Sequence, residues 1–258
     1  MRTLKDYLLI SLKGMAMGAA DVVPGVSGGT IALITGIYEE LLATINSVNL
    51  EAFQILKKEG LKSCWKHING NFIAALFLGI GISIASLAKV ITYLMKQEAV
   101  LLWAFFFGLI VASIYLVAKR IVQWNAAKII GLLGGTAFAF YITLLPPMEN
   151  PAALWYVFLS GAVAICAMIL PGISGSFILL LLGSYHLVLT AIKDFKLTII
   201  MVFGAGCVVG LLSFSKFLNW MFQKYHDLTI AILTGFLVGS LNKIWPWKTT
   251  ISTRINSH

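Results

Sequence analysis

The chain has 258 residues, 59% of them hydrophobic and 11% charged, with a formal net charge of +9 and a mean hydropathy of +0.92. Soluble domains carry about 25% charged residues, so a soluble enzyme or binding module is excluded and a membrane protein is indicated. Long charge-free runs such as 99–118, 129–148 and 197–215 exclude a closed barrel and leave a polytopic all-α membrane helical bundle.

The start, Met1-Arg2-Thr3-Leu4-Lys5-Asp6, has no small-residue cleavage site and Lys13 interrupts the apolar run, so no cleavable signal peptide is expected. The first apolar segment covers 4–23 and runs into Val23-Pro24-Gly25-Val26-Ser27-Gly28-Gly29; the next covers 28–48. Residues 50–71 are polar and predict a long loop, after which segments 71–95 and 99–118 follow. A single span, 129–147, leads to the second half, where 152–170 runs into Leu170-Pro171-Gly172-Ile173-Ser174-Gly175-Ser176. The chain then offers segments 175–192, 197–222 and 228–242. Cys64, Cys166 and Cys207 lack metal-ligand spacing and no cofactor motif occurs, so neither a metal nor a cofactor is expected.

The two Pro-Gly stretches lie 147 positions apart, and Gly14/Gly161, Gly36/Gly183, Tyr38/Tyr185 and Ile45/Ile192 match at the same offset. Gly79-Ile80-Gly81 resembles Gly204-Ala205-Gly206 at an offset of 125, while Gly108 to Ile114 resembles Gly235 to Leu241 at 127. Ordered blocks of this kind predict one membrane domain, 1–258, built from repeats 4–118 and 152–242 joined by span 129–147. From one repeat to the next the chain crosses the membrane an odd number of times, whether or not each broken pair is re-entrant. The repeats are therefore expected to be inverted. Lys57, Lys58, Lys62 and Lys66 mark one loop as cytoplasmic, and Lys119, Arg120 and Lys128 mark the next on that side. Loop lysines thus account for the basic excess through orientation and anionic lipid, so nucleic acid is not an expected partner. A tail bearing Lys243, Lys248 and Arg254 falls on the external side against this rule, and Trp245-Pro246-Trp247-Lys248 reads as an interfacial anchor.

The duplicated motif carries the chemistry. Pro24 and Pro171 end a helix, and Gly25 and Gly172 permit unusual dihedrals. Ser27, Gly28, Gly29 and Thr30, with Ser174, Gly175 and Ser176 in the second copy, then cap a new helix whose first N–H groups form an anion cradle. Irregular backbone at membrane depth survives where it lines a cavity or meets a ligand, so a phosphate is the expected occupant. The plain alternative is close helix packing by small residues. Asp21, an intramembrane carboxylate matched by Met168 in the second copy, is a candidate for ion coupling or a structural partner of a backbone donor. Glu39 is a second coupling candidate; Lys89 and Lys216 could neutralise phosphate, although snorkelling is the simpler role.

Met17 through Thr30, followed by Gly36-Ile37-Tyr38-Glu39, resembles the polyprenyl-phosphate (undecaprenyl-phosphate) transporter family, formerly a domain of unknown function. Pro171 to Ser176 and Gly239 to Lys248 match its later signatures, so the resemblance spans nearly the whole chain. It implies a multi-pass protein of the bacterial cytoplasmic membrane. Such proteins return undecaprenyl phosphate to the inner leaflet for reuse in peptidoglycan and other cell-envelope synthesis. Family members usually continue past Trp-Pro-Trp-Lys with another helix, so the expectation is that the family's C-terminal helix is absent here. Lipid phosphate and membrane are the expected partners, with homo-oligomerisation left open. The rival class is a membrane polyprenyl-pyrophosphate phosphatase, which resembles this arrangement but uses an arginine after the motif serine. Gly28 and Gly175 stand there instead, and no arginine lies in any span, which favours holding a phosphate over cleaving it. An anion channel would need a continuous polar lining, and a scaffold would not need two helix breaks.

Overall fold

The computed structural model describes residues 2–23, 25–149 and 153–247; Pro24 of the first motif lies outside them. Those residues are all-helical: α1 (Leu4–Val22), α2 (Gly28–Ile34), α3 (Tyr38–Asn46), α4 (Leu50–Glu59), α5 (Leu61–His67), α6 (Gly70–Gln97), α7 (Ala99–Ala118), α8 (Ala126–Leu144), α9 (Leu154–Ile169), α10 (Gly175–Leu181), α11 (Tyr185–Lys193) and α12 (Leu197–Ser240). α6, α7, α8 and α12 are each long and apolar enough to cross a membrane. The 44 residues of α12 are about twice the number that one crossing needs. Tyr225, with φ −134° and ψ 49°, kinks it into two.

Two sequence expectations need correction. The segments 28–48 and 175–192 are not continuous helices. Each breaks after seven residues, at Gly36 (φ 76°) and Gly183 (φ 65°), where the left-handed backbone favours glycine. α10 and α11 meet at a bend of 107°. Residues 50–71 form α4 and α5 rather than a loop, because Asn49 caps α4 by accepting from the Ala52 N–H and Gly60 (φ 84°) separates the two. Segments 197–222 and 228–242, by contrast, are the two helical arms of α12 on either side of Tyr225, as the sequence indicated.

Backbone features recur through both halves. α6 and α7 are separated at Glu98 (φ −132°, ψ 46°), which stands 127 positions before Tyr225 with nearly the same angles. α1 crosses α6 where Gly14 faces the Leu76 carbonyl and Gly79 faces that of Ser11; α9 crosses α12 where Gly161 faces Phe203 O and Gly206 faces Phe158 O. A methyl group at any of these glycines would overlap the carbonyl opposite, so both crossings depend on small residues, as close helix contacts in lipid generally do. These contacts pair Gly79 with Gly206, which makes the offset of that helix 127 and not the 125 read from the sequence.

The broken segments fold back on themselves. In the first, Lys13 Nζ on α1 donates to Thr35 O after α2 (2.8 Å), and Arg2 makes a bidentate pair with Glu40 at the start of α3 (2.6 Å). In the second, the Tyr156 hydroxyl near the start of α9 donates to Leu182 O after α10 (2.9 Å), and the Ser160 and Ser184 hydroxyls lie 2.7 Å apart. The end of α2 receives Arg120, from the α7–α8 connection, on Ile34 O (3.1 Å). The end of α10 receives the Met148 N–H, from the α8–α9 connection, on Leu181 O (2.7 Å). α8 thus stands between the two hairpin ends, one at each of its termini.

Candidate functional site

The turn after α1 and the turn after α9 meet. Gly25 (φ 90°) and Gly172 (φ 84°) hold the left-handed conformations that reverse the chain there. The Gly172 N–H donates to Thr30 Oγ1 (3.0 Å), the Ser27 hydroxyl donates to Met168 O (3.0 Å), and the buried Tyr38 hydroxyl donates to Ile169 O (3.2 Å). Three backbone groups at the second helix break, Met168 O, Ile169 O and the Gly172 N–H, are therefore satisfied by side chains of the first copy, as buried polar backbone requires. Thr30 and Ser27 are almost fully buried. Helix interruptions 147 residues apart form a single structure.

The two cradles are not alike. In the first, Asp21 Oδ1 accepts from the Gly28 N–H (2.7 Å) and Ser27 Oγ accepts from the Gly29 N–H (3.1 Å). The expected unpaired donors of α2 are thus taken by a carboxylate of the same chain, the structural partner role offered for Asp21. In the second, Met168 replaces Asp21, and Ser174 makes no capping bond to α10; its hydroxyl lies 2.8 Å from that of Ser176. Glu39 is exposed at the first hairpin, 3.3 Å from His226 at the α12 kink. Lys89 and Lys216 are exposed on α6 and α12 and line no space at the motif turns.

A different lysine reaches the turns. Gly25, Gly172, Ser174 and Lys243, with the apolar side chains of Ala139, Ile142, Ile173 and Phe177, line a small space of about 10 Å³, about the size of one water. The Lys243 ammonium stands 4.1 Å over the Phe177 ring. Sequence reasoning placed Lys243 among tail charges. The available signal was its position 127 residues after Leu116, a charge where the first copy has none. Tyr38 was likewise noticed only as a repeat match.

Two apolar cavities adjoin the junction. One, about 490 Å³, lies between α1, α3 and α6 on one side and α9 and α12 on the other; Asp21, Gly29 and Met168 line its inner end, and Thr44 and Val48 its outer end. The other, about 360 Å³, lies between α8, α9, α10 and α12, with Leu170 and Ile173 against the second turn. Buried polar turns beside an apolar recess suit an amphipathic ligand with a small anionic end and a hydrocarbon body.

Residues 17–258 match a protein family described as VCA0040-like, undecaprenyl phosphate translocase-like. The chain is 52% identical over 252 residues to the "Polyprenyl-phosphate transporter" of Vibrio cholerae serotype O1 (strain ATCC 39315 / El Tor Inaba N16961), covering 98% of this chain and 82% of the relative. It is 32% identical over 253 residues to the protein of the same name from Staphylococcus aureus (strain NCTC 8325 / PS 47), covering 91% of this chain and 85% of the relative. No solved structure matches it significantly. With nearly its whole length matched, including both motif turns, the chain belongs to the undecaprenyl phosphate translocase-like family.

Proposed function

We propose that this protein moves polyprenyl phosphate between the leaflets of the bacterial cytoplasmic membrane, returning the lipid carrier for cell-envelope synthesis. The phosphate sits at the junction of the turns at 25–30 and 171–176, and the prenyl chain leaves through the 490 Å³ lateral cavity into lipid. The observation that carries this reading is the bond from the Gly172 N–H to Thr30 Oγ1 (3.0 Å), which joins the two helix breaks into one site.

Inverted repeats supply the motion. The hairpin ends bond to the connections before and after α8, and α8 is long and apolar enough to span the bilayer. The hairpins then open from opposite surfaces, and rocking of one half against the other exposes the junction to each leaflet in turn. Arg2, Lys57, Lys58, Lys62, Lys66, Lys119 and Arg120 gather at one end of these spans, which marks it as cytoplasmic. Asp21 and Glu39 are the carboxylates available for ion coupling.

Transport rather than hydrolysis follows from the charges present. Phosphoryl transfer needs positive charge on the transferring group. Arg2 instead pairs with Glu40, and Arg120 caps α2 at its outer end. The named relatives are transporters. Replacing Ser27 and Ser174 together by alanine removes one polar group from each turn. Recycling of surface-exposed lipid carrier is expected to fall sharply in cells relying on that variant; undiminished recycling would count against the reading.

A further inference from the structure

We infer that Lys243 is the cation that captures the phosphate headgroup, and that it does so from the external side. The inference rests on the transport reading above. Lys243 follows α12 in a turn whose neighbours fix its backbone: Asn242 Nδ2 donates to Thr143 Oγ1 (3.2 Å), Ile244 is fully buried, and the Trp245 ring packs edge-on to Phe107 at 5.3 Å. From that anchored position its side chain runs beside the first motif turn, with Cγ in contact range of Gly25. Lys243 and Phe177 both line the small space between Gly25, Gly172 and Ser174. The ammonium is held over the face of Phe177, 4.1 Å from the ring centroid.

An ammonium on an aromatic face is attracted by the ring quadrupole. A phosphate offers a full opposite charge and charge-assisted hydrogen bonds, which are roughly twice as strong as neutral ones. Lys243 has four side-chain torsions and swings from Phe177 to the junction without backbone movement. The space between the turns is only about the size of one water, so the headgroup enters as that swing and the opening of the hairpins make room.

The charge is one-sided. At the repeat offsets Lys243 corresponds to Leu116, and Asp21 to Met168. Lys243 lies beside Thr143 at the end of α8 nearer the α8–α9 connection, the external end. Asp21 lies in the cavity that runs toward Thr44 and Val48, the cytoplasmic end. Phosphate arriving from outside meets an ammonium; phosphate leaving inward passes a carboxylate. Two backbone-related halves thereby offer the phosphate unlike charges on its two approaches.

The test uses the full chain in detergent micelles, with farnesyl phosphate, farnesol and inorganic phosphate as probes and tryptophan fluorescence, including Trp245, as readout. Lys243→Gln is expected to weaken farnesyl phosphate binding by about tenfold or more, the usual effect of losing a charged hydrogen bond. Farnesol binding stays unchanged, and Lys243→Arg retains most of the affinity. Inorganic phosphate displaces farnesyl phosphate from wild type and does so about tenfold less effectively in Lys243→Gln. Equal binding of farnesyl phosphate by wild type and Lys243→Gln overturns the inference, as does an equal loss for farnesol or undiminished competition by inorganic phosphate. If wild type itself does not distinguish farnesyl phosphate from farnesol, the transport reading fails instead. Phe177→Leu provides a folded control in which the ammonium is released from the ring and phosphate binding is retained or tightened.

Discussion

Thr30→Val tests the joining of the two halves with almost no change in shape. Thr30 is fully buried, and its Oγ1 accepts from the Gly172 N–H at 3.0 Å. Valine puts a methyl in that place and orphans a backbone donor in a turn fixed by φ 84°. An average interhelical hydrogen bond in a membrane protein contributes about 0.6 kcal/mol, because alternative partners exist. A buried donor left without a partner costs about 1–3 kcal/mol, and the anchored glycine turn makes this the governing case. With about 1–2 kcal/mol lost, separation of the hairpins becomes about 5–30 times more populated. Thermal unfolding of the purified protein should show a destabilised Thr30→Val and a near-normal Thr30→Ser, and transport should follow the same order. A Thr30→Val protein as stable and as active as wild type would refute the idea that this bond joins the site.

Asp21→Asn keeps an oxygen for the Gly28 N–H and should fold like wild type while slowing transport. Asp21→Ala leaves the Gly28 N–H without its partner while Ser27 still caps α2, and should lose about 1 kcal/mol in the same unfolding assay. Gly79→Ala and Gly206→Ala each push a methyl into a backbone carbonyl, so both should cost about 1–3 kcal/mol and lower the monodisperse fraction on size exclusion. Glu39 and His186 are exposed at equivalent places in the two hairpins. With the three native cysteines replaced, Glu39→Cys should react with an impermeant maleimide from the cytoplasmic face and His186→Cys from the outer face. Labelling of both from one face would exclude inverted hairpins.

Much of this was legible in the sequence because lipid leaves few choices. Charge-free runs become spans, and α7 occupies the expected 99–118 to the residue. Paired Pro-Gly breaks had to converge on something polar, and side chains of the first turn satisfy the backbone of the second. The breaks at Gly36 and Gly183 were less visible, since glycine also occurs within membrane helices and only the positive φ shows its use. α4 and α5 were obscured by polarity, although Asn49 carried a capping signal. The inequality of the cradles depends on Asp21 reaching seven residues ahead to Gly28, a relation set by the angle between α1 and α2. Lys243 was hardest to find, for a lysine after an apolar segment reads as an interfacial anchor until its ammonium is placed beside the second motif.

The most direct test of the central claim follows polyprenyl phosphate between leaflets in sealed vesicles holding the purified chain. A membrane-impermeant phosphatase outside removes phosphate only from lipid in the outer leaflet. Wild-type protein should make the whole pool accessible with time, and Thr30→Val and Lys243→Gln should slow the second phase without altering the first. Hydrolysis that stops at the outer-leaflet share in wild-type vesicles, as in vesicles without protein, would contradict the claim that these two joined turns carry a lipid phosphate across the membrane.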